Sequence, residues 1–374
     1  MEKTINILIT GSSGFIGKNL VATLKHLQYN NLMLYDVDTP ESELTKYLKK
    51  AQFVFHLAGV NRPDNKEDFM KGNFGFTSTL LNGLKKWGNQ SPIVLASSIQ
   101  AILKNPYGES KKAGEDVLIR YGQDQGIPIY IYRFPNVFGK WSRPFYNSAI
   151  ATFCHQVAHQ QPLTINDRLA PLHLVYIDDV VQELLAALEG RPHLVDSFGV
   201  VEPSYHTTVG EVADIIQQCG AVKQTRQLPD LAHPLVKKLY ATYVSFLPQE
   251  QWVYPLTMHQ DARGSFTEII RTLGGGQVSI NVAKPGIEKG HHWHHTKHEK
   301  FIVVSGEGII RFRHALGHDV HEVSVNGNQF QIVEIPPGYV HAIANTGKTD
   351  LITVMWASEK FDEARPDTYP QKVK

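Results

Sequence analysis

The chain contains the motif Gly286-x5-His292-x-His294-x4-Glu299-x6-Gly306 and, further on, the motif Pro336-x-Gly338-x2-His341-x3-Asn345. Together the two motifs hold three histidines and one glutamate at fixed spacings. Neutral imidazoles and one carboxylate form a site for a divalent transition metal, with coordination positions left open for chemistry. His292, His294, Glu299 and His341 are therefore candidate ligands of a metal centre, with zinc as the expected ion.

The residues around these motifs read as short strands separated by glycine turns, over 300–304, 308–313, 331–335 and 351–356. Short strands of this kind suit a small closed barrel that holds one ligand. The two-part signature resembles that of the cupin barrel, which implies an all-β domain. Some cupins keep the barrel and lose the ion, so a metal-free barrel is the alternative. The flanking His291, His295 and His298 are expected to be solvated hairpin residues.

Length and composition point to two domains in a soluble enzyme. A chain of 374 residues exceeds one ordinary hydrophobic core. The balance of 37 basic and 36 acidic residues offers no attraction for nucleic acid or for an anionic membrane. The two cysteines and the absence of a signal-like or membrane-spanning run lead us to expect a cytoplasmic protein. Helical patterning gives way to short strands near residues 248–255, so we expect domains at 1–247 and 252–374.

The N-terminal residues carry a second, unrelated signature. A short apolar strand, 5–10, leads into Gly11-Ser12-Ser13-Gly14-Phe15-Ile16-Gly17 and then into an amphipathic helix. Glycines permit close backbone approach, and a helix N-terminus offers free N–H groups to a dinucleotide pyrophosphate. A second strand ends at Asp36, where a carboxylate can accept from the adenosine ribose hydroxyls. The alternative is a tight strand–helix turn without a ligand.

Two later segments supply candidate catalytic groups. The run Phe53–Gly59 reads as a buried strand that ends in Leu57 and the small residues Ala58 and Gly59, which would let the cofactor lie close. After a further strand come Ser97 and Ser98, and then Tyr107 and Lys111, which share one helix face at the i, i+4 spacing. The ammonium can lower the phenol pKa and hold the nicotinamide ribose, while a serine hydroxyl fixes the substrate carbonyl. We predict Ser98, Tyr107 and Lys111 as the catalytic set, with Ser97 as a rival for the serine.

Residues 4–245 resemble the extended branch of the short-chain dehydrogenase/reductases. The segments Arg133–Gly139 and His173–Val180 are similar to two runs typical of that branch. The resemblance implies a Rossmann-type doubly wound parallel sheet and a nucleotide-sugar substrate, with Asn136 at the diphosphate. It also implies a cofactor role for Asn73, for which a helix cap is the alternative. Asp36 and Asp38, without a nearby arginine, favour NADH, whereas the resemblance implies NADPH; both cofactors stay open.

One further segment narrows the class of substrate. It reads Asp261-Ala262-Arg263-Gly264-Ser265-Phe266-Thr267-Glu268. It resembles a stretch at the entrance of the deoxythymidine-diphosphate-sugar 3,5-epimerases, which are cupins. That resemblance implies that Arg263, Phe266 and Glu268 help to bind a nucleotide diphosphate; a charged β-turn is the alternative. The base of that family aligns with His292, here an expected metal ligand, so the epimerase base is not assigned. Candidates for phosphate or enolate contact are Lys289, Lys300, Arg311 and Arg313, although charged strand faces would explain them equally.

The whole chain resembles a family of bifunctional enzymes of capsular-polysaccharide and O-antigen synthesis, in which an extended reductase precedes a cupin. The resemblance implies C3 epimerisation of a UDP-2-acetamido-2,6-dideoxy-4-hexulose followed by reduction at C4. The expected partner is therefore a UDP-keto-sugar, and a homodimer is expected. Two alternatives stay open: a reductase with a non-catalytic cupin for binding or dimerisation, and a metal-dependent oxygenase, since the same ligands can hold iron.

Overall fold

The computed structural model describes residues 3–374. Contacts between residues define two compact units, the first running to Ile216 and including Lys238–Leu247, the second made of Gln217–Lys237 and Pro248–Lys374. The first unit is an α/β structure on a parallel sheet, and the strands of the second form antiparallel sheets. The expected fold class is therefore confirmed. The division into residues 1–247 and 252–374 stays a prediction.

The described part of the first unit holds ten strands: β1 (Ile7–Thr10), β2 (Leu32–Tyr35), β3 (Phe53–His56), β4 (Ile93–Ser98), β5 (Ile129–Phe134), β6 (Asn136–Phe138), β7 (Pro171–Tyr176), β8 (Leu194–Val195), β9 (Phe198–Gly199) and β10 (Ser204–Thr208). The main sheet has the order β2-β1-β3-β4-β5-β9-β8, and β10-β7-β6 form a smaller sheet. Because β2 and β3 flank β1 on opposite sides, the strand order reverses there, and ligands bind beyond the carboxyl ends of strands at such a point.

Helices cover both faces of the main sheet. The helices among residues 3–374 are α1 (Phe15–His26), α2 (Glu41–Lys50), α3 (Glu67–Met70), α4 (Phe76–Lys86), α5 (Pro106–Gln125), α6 (Ala149–Ala158), α7 (Ile177–Leu188), α8 (Val209–Thr225) and α9 (Pro234–Val244), and α8 and α9 each cross a boundary between the two units. One core joins Leu20 and Leu24 of α1 and Leu184 of α7 to the sheet, and the other joins Leu44 of α2 and Leu80 of α4 to its opposite face. Strands covered on both faces are continuously apolar, which explains the run Phe53–His56.

The second unit contains β11 (His259–Asp261), β12 (Gly264–Arg271), β13 (Gln277–Ala283), β14 (Glu288–Trp293), β15 (Glu299–Ser305), β16 (Glu307–His314), β17 (Val320–Asn326), β18 (Val333–Ile335), β19 (Tyr339–Asn345), β20 (Leu351–Ala357) and β21 (Tyr369–Pro370). They form two sheets, β11-β12-β13-β20-β15-β18 and β17-β16-β19-β14-β21. Alternate residues such as Phe301, Val303 and Ile310 meet in one core between the sheets. The inward-facing polar residues described below interrupt this core.

Among residues 3–374, no helix has both the length and the apolar character that crossing a bilayer requires.

Candidate functional site

The glycine turn between β1 and α1 lies directly against the loop after β3. Gly11 has φ of +69°, and a Cβ placed there would be 2.7 Å from the Ala58 nitrogen. A Cβ at Gly17 would be 2.2 Å from the Gly11 carbonyl oxygen, so both positions require glycine. Gly14 is the N-cap of α1 and provides no side-chain cap, which leaves the N–H groups of the first turn, at Phe15 and Ile16, available to a ligand.

Asp36 lies at the end of β2, beside this turn. Its carboxylate accepts hydrogen bonds from the Ser13 N–H at 2.7 Å and from the Val37 N–H at 2.9 Å. The side chain thus links β2 to the glycine turn, where a dinucleotide ribose is expected. Asp38 is exposed two residues further on.

The structure separates the two serines at the end of β4. Ser97 donates to a carboxylate oxygen of Glu115 at 2.5 Å, and Glu115 is in turn bound by Arg133. Ser98 instead lies close enough to Tyr107 to act on the pKa of its phenol, and its hydroxyl accepts from the Gln100 N–H at 3.2 Å. Because Ser97 is committed to a buried ion pair, the geometry favours Ser98 as the hydroxyl that faces the phenol.

Tyr107 and Lys111 lie on α5, and both are largely buried. The Lys111 Nζ is 5.9 Å from the centre of the Tyr107 ring and donates to the Ala96 carbonyl oxygen at 3.1 Å. Burial lowers the pKa of Lys111 to about 8, although the Glu115 carboxylate opposes the shift. Burial raises the pKa of Tyr107, and the nearby Ser98 hydroxyl partly offsets that rise. A charge on Lys111 can therefore act strongly on groups nearby.

Asn73 is not a helix cap, because it lies inside a π-helical turn, Lys71–Gly75, between α3 and α4. Its side-chain oxygen accepts from the Val60 N–H at 2.9 Å, and its Nδ2 donates to the Ser110 hydroxyl at 2.9 Å. A Cβ at Gly59 would be 3.0 Å from the Asn73 oxygen and 2.9 Å from the Lys111 Nζ. The predicted residues Gly59, Asn73 and Lys111 therefore meet at one place.

Asn136 begins β6 and is exposed, and its Nδ2 donates to the His173 carbonyl oxygen at 3.2 Å. This hydrogen bond fixes the side chain beside the smaller sheet. The predicted contact with a substrate diphosphate stays a prediction.

The four predicted metal ligands meet inside the second unit. One ligand atom of each of His292, His294, Glu299 and His341 lies within 4.8 Å of the others. His292 and His294 are on or just after β14, Glu299 begins β15, and His341 is on β19, where it pairs with His292 across the two strands. A bulge between Gly290 and His292 shifts the register of β14, and Gly290 has φ of +107°.

The donor atoms fit a bound metal ion. The His294 and His341 Nε2 atoms lie 3.5 and 3.3 Å from a Glu299 oxygen. All three atoms are buried and have no hydrogen-bond partner among residues 3–374. Zinc ligands at about 2.1 Å in a tetrahedral arrangement are about 3.4 Å apart. These separations and the orphaned atoms therefore match ligands that share one ion better than they match hydrogen bonds.

The ionisation states agree with this set of ligands. Burial, with His341 adding to it, lowers the pKa of His292 to about 4, so its imidazole is neutral. Burial opposes ionisation of Glu299, yet the neighbouring His294 and His341 imidazoles hold its pKa below its ordinary value. Neutral imidazole and ionised carboxylate are the forms that bind metals.

Strand register identifies further polar residues on the same inner face. Phe266 pairs directly with Asn281, and Glu268 with Ser279. Asn281 and Ser279 in turn pair with Thr353 and Met355 of β20, next to the row that contains Phe301 and Val303 of the core. Asn281, Ser279 and Thr353 are all nearly inaccessible to solvent. The sequence motifs did not reveal these three residues, because a single polar residue in an otherwise alternating strand does not indicate a site.

Arg263 and the other candidate cations have different surroundings. Arg263 is exposed and forms an ion pair with Asp261 at 2.6 Å. Lys289 pairs across the strands with the core residue Ile343, and its ammonium donates to the Val282 carbonyl at 2.7 Å and to the Asn281 side chain at 3.1 Å. Lys300 instead forms an exposed ion pair with Glu334. Arg311 and Arg313 are engaged by acidic side chains and by backbone carbonyls, respectively.

Comparison with known proteins agrees with this two-part architecture. The model of the NAD dependent epimerase/dehydratase family matches residues 7–195, and that of the polysaccharide biosynthesis C-terminal domain matches residues 259–369. The chain therefore belongs to the NAD dependent epimerase/dehydratase family, as a member that carries this second domain.

Particular relatives are similar over the whole chain. It is 41% identical to the UDP-2-acetamido-2,6-beta-L-arabino-hexul-4-ose reductase of Pseudomonas aeruginosa, with 99% of both chains covered. The crystal structure of the capsular polysaccharide assembling protein CapF from Staphylococcus aureus matches with a TM-score of 0.93 and 47% identity, covering 99% of this chain and 100% of that one. The resemblance to enzymes of capsular-polysaccharide synthesis is confirmed. A UDP-glucuronic acid 4-epimerase from Bacillus cereus in complex with NAD shares the fold of the first unit, at 20% identity and a TM-score of 0.54, with 66% of this chain and 98% of that one covered.

Proposed function

We propose that the chain is a bifunctional nucleotide-sugar enzyme acting on UDP-2-acetamido-2,6-dideoxy-β-L-arabino-4-hexulose. The second unit inverts C3, and the first reduces C4 to give UDP-2-acetamido-2,6-dideoxy-β-L-talose, on the route to UDP-N-acetyl-L-fucosamine for capsule or O-antigen. The observation that carries the proposal is the meeting of Ser98, Tyr107 and Lys111 beside a dinucleotide-type glycine turn. The relative named as a hexul-4-ose reductase, similar along its whole length, supports the substrate.

The residues of the first unit divide the reduction between them. NADPH or NADH, when bound, would supply the hydride that C4 accepts. Tyr107 gives its phenolic proton to the C4 oxygen, so the ketone becomes a hydroxyl. Lys111 stabilises the phenolate that remains, and Ser98 orients the ketone through a second hydrogen bond. Asn136 is proposed to hold the substrate diphosphate.

The second unit would act on the carbon next to the same ketone, by removing and returning the proton at C3. A proton at C3 is acidic because the resulting enolate delocalises onto the C4 oxygen. A metal held by His292, His294, Glu299 and His341 would polarise that oxygen or stiffen the barrel. Lys289 supplies a fixed positive charge inside the barrel, whereas Phe266, Glu268 and Arg263 are proposed to receive the nucleotide end. Since epimerisation alone is nearly balanced, the reduction that follows draws it forward.

A second candidate is a 4-keto-sugar reductase whose second unit only binds substrate or another copy of the chain. The Pseudomonas aeruginosa relative favours this candidate, since it is named as a reductase alone. Iron-dependent oxygenase chemistry has no such support, because both matched families point to nucleotide-sugar and polysaccharide metabolism.

One experiment separates the two candidates. Tyr107→Phe is expected to abolish NAD(P)H oxidation with the keto-sugar while retaining cofactor binding, because the proton is needed only as hydride arrives. The same variant without cofactor, incubated in D2O, is expected to place deuterium at C3, as followed by NMR. His341→Gln should slow that exchange strongly.

Each half of this experiment has its own contrary outcome. Ketone reduction by Tyr107→Phe at close to the wild-type rate would refute the reductase assignment. Absence of deuterium at C3 with metal-loaded protein would leave the second unit as a binding module.

A further inference from the structure

The last residues of the chain lie across the hairpin that carries the metal ligands. We call residues 367–373 the strap. Its strand β21 pairs with β14, so that Tyr369 lies opposite Trp293 and Pro370 opposite His292. The Gln371 N–H donates to the His291 carbonyl oxygen at 2.8 Å. Arg313 of β16 binds the carbonyl oxygens of Lys372 and Val373 at 2.7 and 2.9 Å, which ties the end of the strap to the barrel.

Asp367, the first residue of the strap, contacts every residue of the turn from His294 to Lys297. One carboxylate oxygen accepts from the His295 N–H at 2.8 Å. The other accepts from the N–H groups of Thr296 and Lys297 at 2.8 and 2.9 Å, and from the Thr296 hydroxyl at 3.1 Å. Three successive N–H groups that converge on one anion hold a turn in a single conformation.

The backbone of Asp367 acts on a ligand directly. Its carbonyl oxygen is hydrogen-bonded to the His294 Nδ1. Because a carbonyl can only accept, Nδ1 carries the proton, and the Nε2 lone pair is free. That Nε2 is the atom that faces Glu299. A hydrogen bond of this kind fixes both the tautomer and the ring orientation of a metal-binding histidine.

The turn also sets the distance between two ligands, since His294 and Glu299 stand at its two ends. A turn that is free to move would let the Nε2 and carboxylate atoms drift from the separations that suit a shared ion. We propose that Asp367 is a positioning residue for the metal centre and that the strap completes that centre. The inference rests on the proposed metal centre in the second unit.

The test compares the release of zinc from full-length variants to a chromophoric chelator. Asp367→Ala is expected to lose zinc faster than wild type, because removing an outer-shell partner usually lowers metal affinity about 10- to 100-fold. Asp367→Asn, which keeps the volume but not the charge, is expected to lie between the two and serves if the alanine variant does not fold. Asp362→Ala is the matched control, since among residues 3–374 the Asp362 carboxylate accepts only within its own loop, from the Ala364 N–H.

A second readout does not depend on the ion. Amide hydrogen exchange at residues 295–297 of metal-stripped protein should be faster in Asp367→Ala than in wild type, and unchanged in Asp362→Ala. Unaltered zinc release and unaltered exchange in Asp367→Ala would overturn the role of Asp367. Wild-type protein that fails to bind zinc at all would instead overturn the proposed metal centre, and the role of Asp367 with it.

Discussion

Lys111 is a charged residue that is held in the first unit at a cost in stability. Burial lowers its pKa from 10.5 to about 8, which means that folding disfavours its charged form. Below pH 8 both the folded and the unfolded chain carry the proton, so the penalty is fully present. Between pH 8 and 10.5 the unfolded chain binds more protons than the folded one, and stability rises with pH.

Lys111→Met is therefore expected to unfold at a higher temperature than wild type at pH 7, although it should lose ketone reduction. The advantage of the variant should shrink as the pH rises from about 8 towards 10.5. Thermal unfolding of the cofactor-free proteins across this range checks the expectation. A constant difference between the two proteins would show that Lys111 does not titrate there.

Two lysines that looked equivalent in sequence are separated by the structure. The Lys289 ammonium lies inside the barrel and donates to uncharged acceptors, whereas Lys300 is exposed and paired with Glu334. We expect Lys289→Met to slow deuterium exchange at C3 roughly 100-fold, the usual effect of losing one donor to a developing oxyanion. Lys300→Met is the matched control and should exchange at the wild-type rate. Equal effects of the two substitutions would contradict a role for the inner lysine.

The residues that sequence could predict are those with a fixed spacing. His292, His294 and Glu299 fall in one motif, and the structure brings them together with His341, as expected. Asn281, Ser279 and Thr353 could not be predicted, because their shared inner face depends on how β12, β13 and β20 pair. Asp367 was missed for the same reason, since its partners are about seventy residues away in sequence.

At the scale of elements, the end of β2 is where we expect the adenosine ribose of the cofactor to be recognised. The Asp36 carboxylate is held beside the glycine turn by the Ser13 N–H, and it would repel a 2′-phosphate. Asp36→Asn is expected to weaken NADH binding about tenfold, as loss of a charged acceptor implies, and to change NADPH binding less. Fluorescence titration with both cofactors measures the ratio.

Asp38→Asn is the control for this prediction, because Asp38 is exposed and lies two residues further along the same loop. Its ratio of NADH to NADPH affinity should stay closer to that of wild type than the ratio of Asp36→Asn does, because the Asp36 carboxylate is the one that the Ser13 N–H holds against the glycine turn. If Asp36→Asn also kept the wild-type ratio, the carboxylate would have no part in cofactor choice.

The elements themselves were predictable to different degrees. The buried strand Phe53–His56 and the glycine turn before α1 could be predicted from the local order of residues alone. The π-helical turn around Asn73 did not, since its sequence also suits an ordinary helix start. The β14 bulge was also hidden, although the positive φ of Gly290 is of a kind that glycine permits.

At the scale of the whole molecule, the change from α/β to all-β structure was visible in sequence, but the path of the chain was not. Residues 217–237 group with the second unit, although helical patterning assigned them to the first domain. The backbone explains the grouping, because Arg226 and Leu228 hydrogen-bond Arg271 of β12. A short irregular segment that extends a strand has no periodicity of its own.

Two sites in one chain also predict complementation between variants. A mixture of Tyr107→Phe and His341→Gln should form the reduced product although neither protein does so alone, because each supplies the site that the other lacks. We expect a lag before the product forms, and this lag should shorten as total protein increases. The loss of NAD(P)H absorbance in the presence of the keto-sugar measures it. No product from the mixture, with each variant active in its own half-reaction, would mean that the epimerised sugar does not leave the chain.

The strap has a consequence for how this family can diverge. A substitution at Asp367 leaves the N–H groups of residues 295–297 without their acceptor, and a change in the length of that turn leaves Asp367 without its donors. The sequence of the turn and the residue at position 367 are therefore expected to change together. In an alignment of relatives, insertions in the turn and replacements of this aspartate should therefore occur in the same sequences, as expected for positions in spatial contact. A relative whose barrel has lost its ion should show both changes, one in the turn and one at the position of Asp367.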